Sequence, residues 1–158
     1  MTDQIVINTG PILALSKMDA MDLIQELPFD IITPFEVDQE IKAGRAKGYE
    51  IETPSWIKIL KLASKVSPLA SASLDLGEAA VIQLALEKNI QIVCIDELNG
   101  RRAARAVGLR VIGSLGLLGR AKTLGLTTTI RPYIRRAIDA DVYYDSKLVD
   151  SFLADFGE

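Results

Sequence analysis

A buried helix followed at once by a buried strand, within residues 75–97, constrains the fold more than any other feature of the chain. The predicted helix, residues 77–88, is apolar on nearly every side, which is typical of a helix enclosed by other elements. Residues 90–95 are almost continuously apolar, as expected of an inner strand of a parallel sheet. Glu78 opens the helix and Asp96 ends the strand. The segment therefore predicts an α/β fold with two carboxylates near the carboxyl end of its strands.

The remaining segments continue this alternation of strands and helices. Strands are predicted at residues 5–7, 29–33, 56–62, 90–95 and 109–112, with 56–62 at a sheet edge. Helices are predicted at residues 11–18, 20–27, 34–44, 77–88, 98–107, 113–122, 130–140 and 146–156, and residues 68–73 are predicted to form a loop. Right-handed crossovers then give a mostly parallel sheet with helices on both faces. No repeat, low-complexity stretch or linker divides residues 1–158, so we expect a single domain.

The composition excludes several classes of chemistry. The chain has no histidine, which rules out Ser-His-Asp and Cys-His catalysis and removes the usual zinc ligands. Acid, base or metal chemistry must therefore use Asp, Glu, Lys or Tyr, and oxygen-rich sites favour Mg²⁺ or Mn²⁺. The lone Cys94 cannot form an internal disulfide, and no basic segment or long apolar run suggests a signal or a membrane span. We expect a cytoplasmic protein without membrane association.

Four oxygen-bearing residues occupy comparable places in the predicted fold. Asn8 follows the first strand, Glu40 lies on the helix after the second, Glu78 opens the buried helix and Asp96 ends the fourth strand. These side chains could converge at one end of the sheet. Carboxylates that gather there repel one another, so a bound cation is the natural reason to keep them together. Such a cation could orient a water and lower its pKa.

Each of these residues also has an ordinary structural role available. Asn8 could cap the following helix, Glu40 could be a solvated helix residue, and Glu78 could complement a helix dipole. Asp96 could lie on the surface after its strand. The joint pattern favours a metal site over four separate explanations.

Basic residues are concentrated in the second half of the chain. The net charge is −3, yet residues 101–136 contain nine basic residues and no Asp or Glu. Solvated helix faces would account for this distribution, and so would a phosphate-binding surface beside an acidic pocket, which is the layout of a nuclease. The nine residues are Arg101, Arg102, Arg105, Arg110, Arg120, Lys122, Arg131, Arg135 and Arg136.

An ordered series of short motifs spans nearly the whole chain. It includes Ile5-Val-Ile-Asn-Thr-Gly-Pro-Ile-Leu-Ala-Leu15, Pro34-x-x-Val37-x-x-Glu40-Ile, Leu76-Gly-Glu-Ala-Ala80, Ile95-Asp-Glu97, Arg101-x-x-Ala104, Ile112-Gly-Ser-Leu-Gly116 and Gly157-Glu158. The series resembles the PIN domains, metal-dependent ribonucleases that include the toxins of prokaryotic toxin–antitoxin pairs. The branch that it is most similar to is known as DUF3368.

The resemblance implies a three-layer α/β/α sandwich whose acidic quartet binds Mg²⁺ or Mn²⁺ and hydrolyses single-stranded RNA. Glu40, Glu78 and Asp96 match the acidic positions of the family. Asn8 stands where most PIN domains have Asp, so the site loses one negative charge. Thr9 matches the small hydroxyl residue that follows, and the resemblance implies that it holds a water or a phosphate.

Three functions stay open at this point. In the leading hypothesis, the protein is a metal-dependent ribonuclease, the toxin of a pair with an antitoxin partner, and Arg101, Arg102 and Arg105 position the RNA backbone. The alternative is a non-catalytic PIN-like module that binds RNA or a protein partner, which Asn8 supports. A nucleotide-binding or sensing domain is a third, although the chain has no phosphate loop. Glu97 would compensate for Asn8 if it faces inward, and the C-terminal helices are expected to form a homodimer contact.

Overall fold

The structure is a computed structural model that describes residues 2–48 and 50–158. Five strands lie in this part of the chain: β1 (Asp3–Ile7), β2 (Phe29–Pro34), β3 (Lys58–Leu60), β4 (Ile92–Cys94) and β5 (Arg110–Ile112). The helices are α1 (Thr9–Lys17), α2 (Met21–Gln25), α3 (Phe35–Ala46), α4 (Pro68–Ser71), α5 (Leu76–Glu87), α6 (Leu98–Ala106), α7 (Ser114–Thr123), α8 (Arg131–Asp139) and α9 (Ser146–Asp155).

The five strands form one sheet in the order β3-β2-β1-β4-β5, and every pairing is parallel. The order reverses between β1 and β4, because the chain first adds β2 and β3 on one side of β1 and later adds β4 and β5 on the other. Open parallel sheets bind ligands beyond the carboxyl ends of their strands at such a reversal. Ile7 is in register with Cys94, so Asn8 and Asp96 both lie just beyond the carboxyl ends of β1 and β4, at this reversal.

The central strands and α5 form the middle of the core. Ile5, Val6 and Ile7 of β1 are fully buried, as are Val93 and Cys94 of β4. Helix α5 contacts β1, β2 and β4 and is enclosed on several sides, which explains why its sequence lacks a polar face. The predicted α/β fold with a parallel sheet flanked by helices is confirmed. No helix in residues 2–48 or 50–158 is long and apolar enough to cross a membrane.

Several predicted boundaries were wrong. Residues 68–71, expected in a loop, form α4, because Ser67 accepts a hydrogen bond from Leu69 N and Pro68 suits the first helical position. Helix α3 continues past Gly44 to Ala46, since a glycine in the last turn costs only about 1 kcal/mol.

Strands β3 and β4 are also shorter than predicted. Strand β4 begins only at Ile92, because Ile90 N closes the end of α5 by donating to Ala85 O. The strand predicted at 56–62 is limited to β3, and it lies at a sheet edge as expected.

Candidate functional site

Asn8 joins the end of β1 to the start of α1 at the carboxyl edge of the sheet. Its backbone N donates to Cys94 O at 3.0 Å, which ties it to β4. The side chain is 4% exposed and makes no hydrogen bond that caps α1. Asn8 therefore does not cap this helix with its side chain. Its Oδ1 atom is buried and has no hydrogen-bond partner in the described part of the chain.

Three side-chain oxygens approach Gly77, the second residue of α5. A Cβ at Gly77 would lie 2.7 Å from Glu40 Oε2, 3.2 Å from Asn8 Oδ1 and 3.5 Å from Asp75 Oδ1. The missing side chain therefore leaves a small space that three oxygens from different elements face. Thr9 Oγ1 donates to Glu40 Oε2 at 2.8 Å and holds that carboxylate in place.

Glu78 is fixed by a capping box at the start of α5. Glu78 N donates to Asp75 Oδ1 at 2.7 Å, and Asp75 N donates to Glu78 Oε1 at 3.3 Å. This reciprocal pair follows from the Asp-x-x-Glu spacing at a helix start. The other oxygen, Glu78 Oε2, is buried without a partner in the described residues, and a Cβ at Gly100 would collide with it. We call Asn8, Glu40, Asp75 and Glu78 the acidic cradle.

The protonation of Glu78 follows from this position. The pKa of Glu78 is raised from 4.5 to about 7, mainly by burial and also by the charges of Asp75 and Glu97, against the lowering effect of the backbone hydrogen bond from Asp75. A cation that binds Glu78 near neutral pH must therefore displace a proton from a large fraction of the molecules.

Asp96 belongs to a second polar group, on the α7 side of β4. Ser114 N donates to Asp96 Oδ1 and Ser114 Oγ donates to Asp96 Oδ2, both at 2.8 Å. The Tyr144 hydroxyl lies 2.6 Å from Ser114 Oγ. Since the Ser114 proton is already donated to Asp96, Tyr144 is the donor in this bond. Burial raises the pKa of Tyr144, so it keeps the proton that it donates.

The structure thus brings Asn8 and Glu40 together with Asp75 around Gly77, and the capping box links Glu78 to Asp75. Asp96 is held by Ser114, which also bonds Tyr144. Among residues 2–48 and 50–158, no group of three or more Asp, Glu, Cys or His side chains is spaced to hold a metal ion. The four predicted residues occupy two neighbouring groups at the β1–β4 reversal, because the start of α7 engages the Asp96 carboxylate.

The residues of the acidic cradle nevertheless fit a hard divalent cation by their chemistry. All of their side chains offer oxygen atoms, which Mg²⁺ and Mn²⁺ prefer. Asn8 Oδ1 and Glu78 Oε2 are buried acceptors without partners in residues 2–48 and 50–158, and a third such atom, Glu36 Oε1, lies one turn before Glu40 on α3. An unsatisfied buried acceptor costs about 1–3 kcal/mol, which a ligand would recover.

Helix α6 starts just beyond Asp96 and carries the predicted RNA-binding arginines. Arg102 and Arg105 are exposed, while Arg101 is half-buried and donates from Nη1 to Ile95 O at 2.9 Å. Glu97, the residue before α6, is exposed. Its charge nevertheless reaches the candidate site, because it helps to raise the pKa of Glu78.

Sequence reasoning missed three residues that position the predicted ones. Asp75 could have been found from its Asp-x-x-Glu spacing with Glu78. Ser114 follows a glycine at a predicted helix start, which is a weak signal. Tyr144 has no local signal, because its role depends on a contact with Ser114, 30 residues earlier.

Gly77→Ala tests whether the space in the acidic cradle is used. We expect Mn²⁺ affinity, measured by calorimetry, to fall at least about tenfold, because the methyl group would displace Glu40 Oε2. Stability should be unchanged or rise by up to about 1 kcal/mol, since alanine favours the helix. Gly10→Ala is the matched control, as Gly10 is also the second residue of a helix and its Cβ would meet nothing within 4 Å. Equal Mn²⁺ affinity in both variants would contradict the expectation.

Comparison with known protein families gives a match over nearly the whole chain. The family model DUF3368, described as a PIN domain, matches residues 4–158. This span contains every residue of both polar groups and the three arginines of α6. No curated protein matches the chain.

Proposed function

Because the chain belongs to the PIN-domain family, we propose that it is a nuclease that hydrolyses single-stranded RNA with the help of Mg²⁺ or Mn²⁺. PIN domains generally bind RNA and depend on a divalent metal. The observation that carries the proposal is that Asn8 Oδ1 and Glu78 Oε2, near the reversal of the strand order, are buried and have no hydrogen-bond partner within the part of the chain that the structure describes.

The residues of the acidic cradle would bind the cation or position its ligands. Asn8, Glu40 and Glu78 would hold the cation. Thr9 Oγ1 donates to the Glu40 carboxylate and Asp75 N donates to the Glu78 carboxylate, which keeps both in place. When bound, the cation supplies positive charge to the phosphate and lowers the pKa of a nearby water.

The Asp96 group would face the other side of the phosphodiester. Asp96, oriented by Ser114, would bind the cation or orient the attacking water. The water oxygen forms a bond to phosphorus, the bond from phosphorus to one ribose oxygen breaks, and that oxygen takes up a proton. Arg101, Arg102 and Arg105 would position the adjoining phosphates, which predicts salt-dependent binding.

Cleavage of single-stranded RNA in the presence of Mn²⁺ tests the proposal directly. We expect Asp96→Asn to lose at least about 100-fold in rate, because the amide removes a charge at the reacting phosphate. Asp22→Asn is the control, since Asp22 is exposed on α2, which precedes the amino end of β2. If both variants cleave like the wild type, the cleavage comes from a contaminating nuclease and the proposal fails.

A role as the toxin of a toxin–antitoxin pair, and a homodimeric assembly, extend the same proposal. In that case, induced expression of the wild type should arrest the growth of a bacterial host, and Asp96→Asn should not. Growth arrest by both forms would argue against RNA cleavage as its cause.

A non-catalytic PIN-like module that binds RNA or a protein is the second candidate. The amide at Asn8, together with the absence of a three-carboxylate cluster in the described residues, favours it. This candidate predicts RNA or protein binding without Mn²⁺-dependent cleavage. Tight binding of Mn²⁺ by the wild type would remove its main support.

A further inference from the structure

A cavity of about 550 Å³ opens beside Asp96, between α6, the start of α7 and α9. Its polar end is formed by Asp96, Arg101 and Tyr144, and its walls include Leu98, Leu148 and Phe152. This volume lies within the range of pockets that bind small organic groups. None of the functions proposed so far uses Tyr144, Leu148 or Phe152 for contact with a ligand.

We propose that this cavity receives one base of the single-stranded RNA, from a nucleotide next to the phosphate that is cut. The proposal rests on the proposed nuclease function, because it places the base beside Asp96. A nucleobase has flat apolar faces and a polar edge, and the cavity offers apolar walls and a polar end that match them.

The polar end has hydrogen-bonding capacity to spare. Each Asp96 oxygen accepts one bond from Ser114 and has a further lone pair, so one oxygen can accept from the base while the other serves the cation or the water. The Tyr144 hydroxyl donates to Ser114 and can still accept. An entirely apolar occupant, such as an aliphatic side chain of a protein partner, would bury these groups unpaired, which disfavours it.

The mouth of the cavity also suits single-stranded RNA, whose nucleotides are joined by charged phosphates. Leu98 and Leu148 are 56% and 55% exposed, so a base that enters between them would cover apolar surface. Arg101, Arg102 and Arg105 are on the helix that forms one side of the cavity, where they can contact the phosphates on either side of that base.

Binding of short RNA oligomers with one abasic ribose at successive positions tests the cavity. Ca²⁺ replaces Mn²⁺ so that the oligomers stay intact, and affinity is measured by fluorescence anisotropy. For the wild type, we expect one position at which loss of the base weakens binding about tenfold or more. In Leu148→Gln this penalty should nearly disappear, because the wall that contacts the base is polar. Leu124→Gln, at an equally exposed leucine outside the cavity, should retain it.

The outcomes separate this inference from the nuclease proposal. In one outcome, RNA binds without any position at which loss of the base weakens binding, and in another, such a position persists in Leu148→Gln. Either result overturns the base-binding cavity and makes a protein ligand the better occupant. It leaves the nuclease proposal unaffected. A single sensitive position that Leu148→Gln removes, in a protein that never cleaves RNA with Mn²⁺, supports the cavity and overturns the nuclease. A wild type that binds no RNA overturns both.

Discussion

Glu78→Gln is expected to abolish divalent-cation binding and at the same time to stabilise the metal-free protein above pH 7. Glu78 Oε2 is buried without a partner among the described residues, and burial raises the pKa of this carboxyl to about 7. Ionised Glu78 therefore destabilises the fold until a cation binds. Glutamine keeps the capping box, since its side-chain oxygen can accept from Asp75 N, but it removes the charge that binds the cation.

The pH dependence has a definite sign. Between pH 4.5 and about 7 the folded protein holds the Glu78 proton more strongly than the unfolded chain does. The contribution of Glu78 to the free energy of unfolding is therefore greatest below pH 4.5 and is lost as the pH rises through about 7. At pH 8 we expect the glutamine variant to be more stable than the wild type by about 1–2 kcal/mol, after allowance for solvent screening. At pH 4 the two should be equal.

Urea unfolding in EDTA over this pH range would measure the difference, with Glu26→Gln as the control at an exposed glutamate. Calorimetry with Mn²⁺ supplies the second half of the prediction. Wild-type affinity should rise about tenfold per pH unit below pH 7, because the cation competes with one proton. A glutamine variant that binds Mn²⁺ normally, or whose stability follows the wild type at every pH, would show that Glu78 is not the residue responsible.

Asn8→Asp is expected to raise Mn²⁺ affinity at least about tenfold while it destabilises the metal-free protein. The new carboxylate would replace an amide that faces Gly77 together with the carboxylates of Glu40 and Asp75. Burial and repulsion between like charges should lower the free energy of unfolding by about 1–3 kcal/mol without metal. Saturating Mn²⁺ should more than restore it.

The same variant distinguishes the two candidate functions. If the wild type binds Mn²⁺ weakly and does not cleave RNA, while Asn8→Asp gains both properties, the natural chain is a non-catalytic module. If the wild type already cleaves, the amide is sufficient as a ligand. Asn89→Asp serves as the control, because Asn89 is exposed at the opposite end of α5. An increase in affinity in both variants would reflect general charge and not the acidic cradle.

The parts of the fold that the sequence predicted best are those with the clearest apolar pattern. The α5–β4 unit, with Glu78 in the first turn of α5 and Asp96 just after β4, follows from a buried helix and a buried strand in succession. The family resemblance was also confirmed. Helix α4 was missed because its apolar pattern is weak, whereas the Ser67 cap and Pro68 are enough to start it. Strand β3 is short because an edge strand pairs with only one neighbour.

The fine structure of the candidate site could not be predicted in the same way. The approach of Asn8 to Glu40 depends on the space at Gly77, and the orientation of Asp96 depends on Ser114 and Tyr144, which lie 18 and 48 residues further along the chain. Contacts of this kind leave no periodic signal, because each depends on how two separate elements pack.

The strand order has a consequence for how the chain is made on the ribosome. Strand β1 is synthesised first and can pair with β2 early, but its other edge waits for β4, whose residues emerge some 85 positions later. Until then, this edge of β1, with its apolar residues Ile5, Val6 and Ile7, presents unpaired backbone groups. Such an edge is a hazard for aggregation and a binding site for chaperones. Since Asn8 N donates to Cys94 O, the candidate ligand lacks this bond throughout that interval. The aggregation-prone edge of β1 and the incomplete candidate site therefore persist over the same stretch of translation.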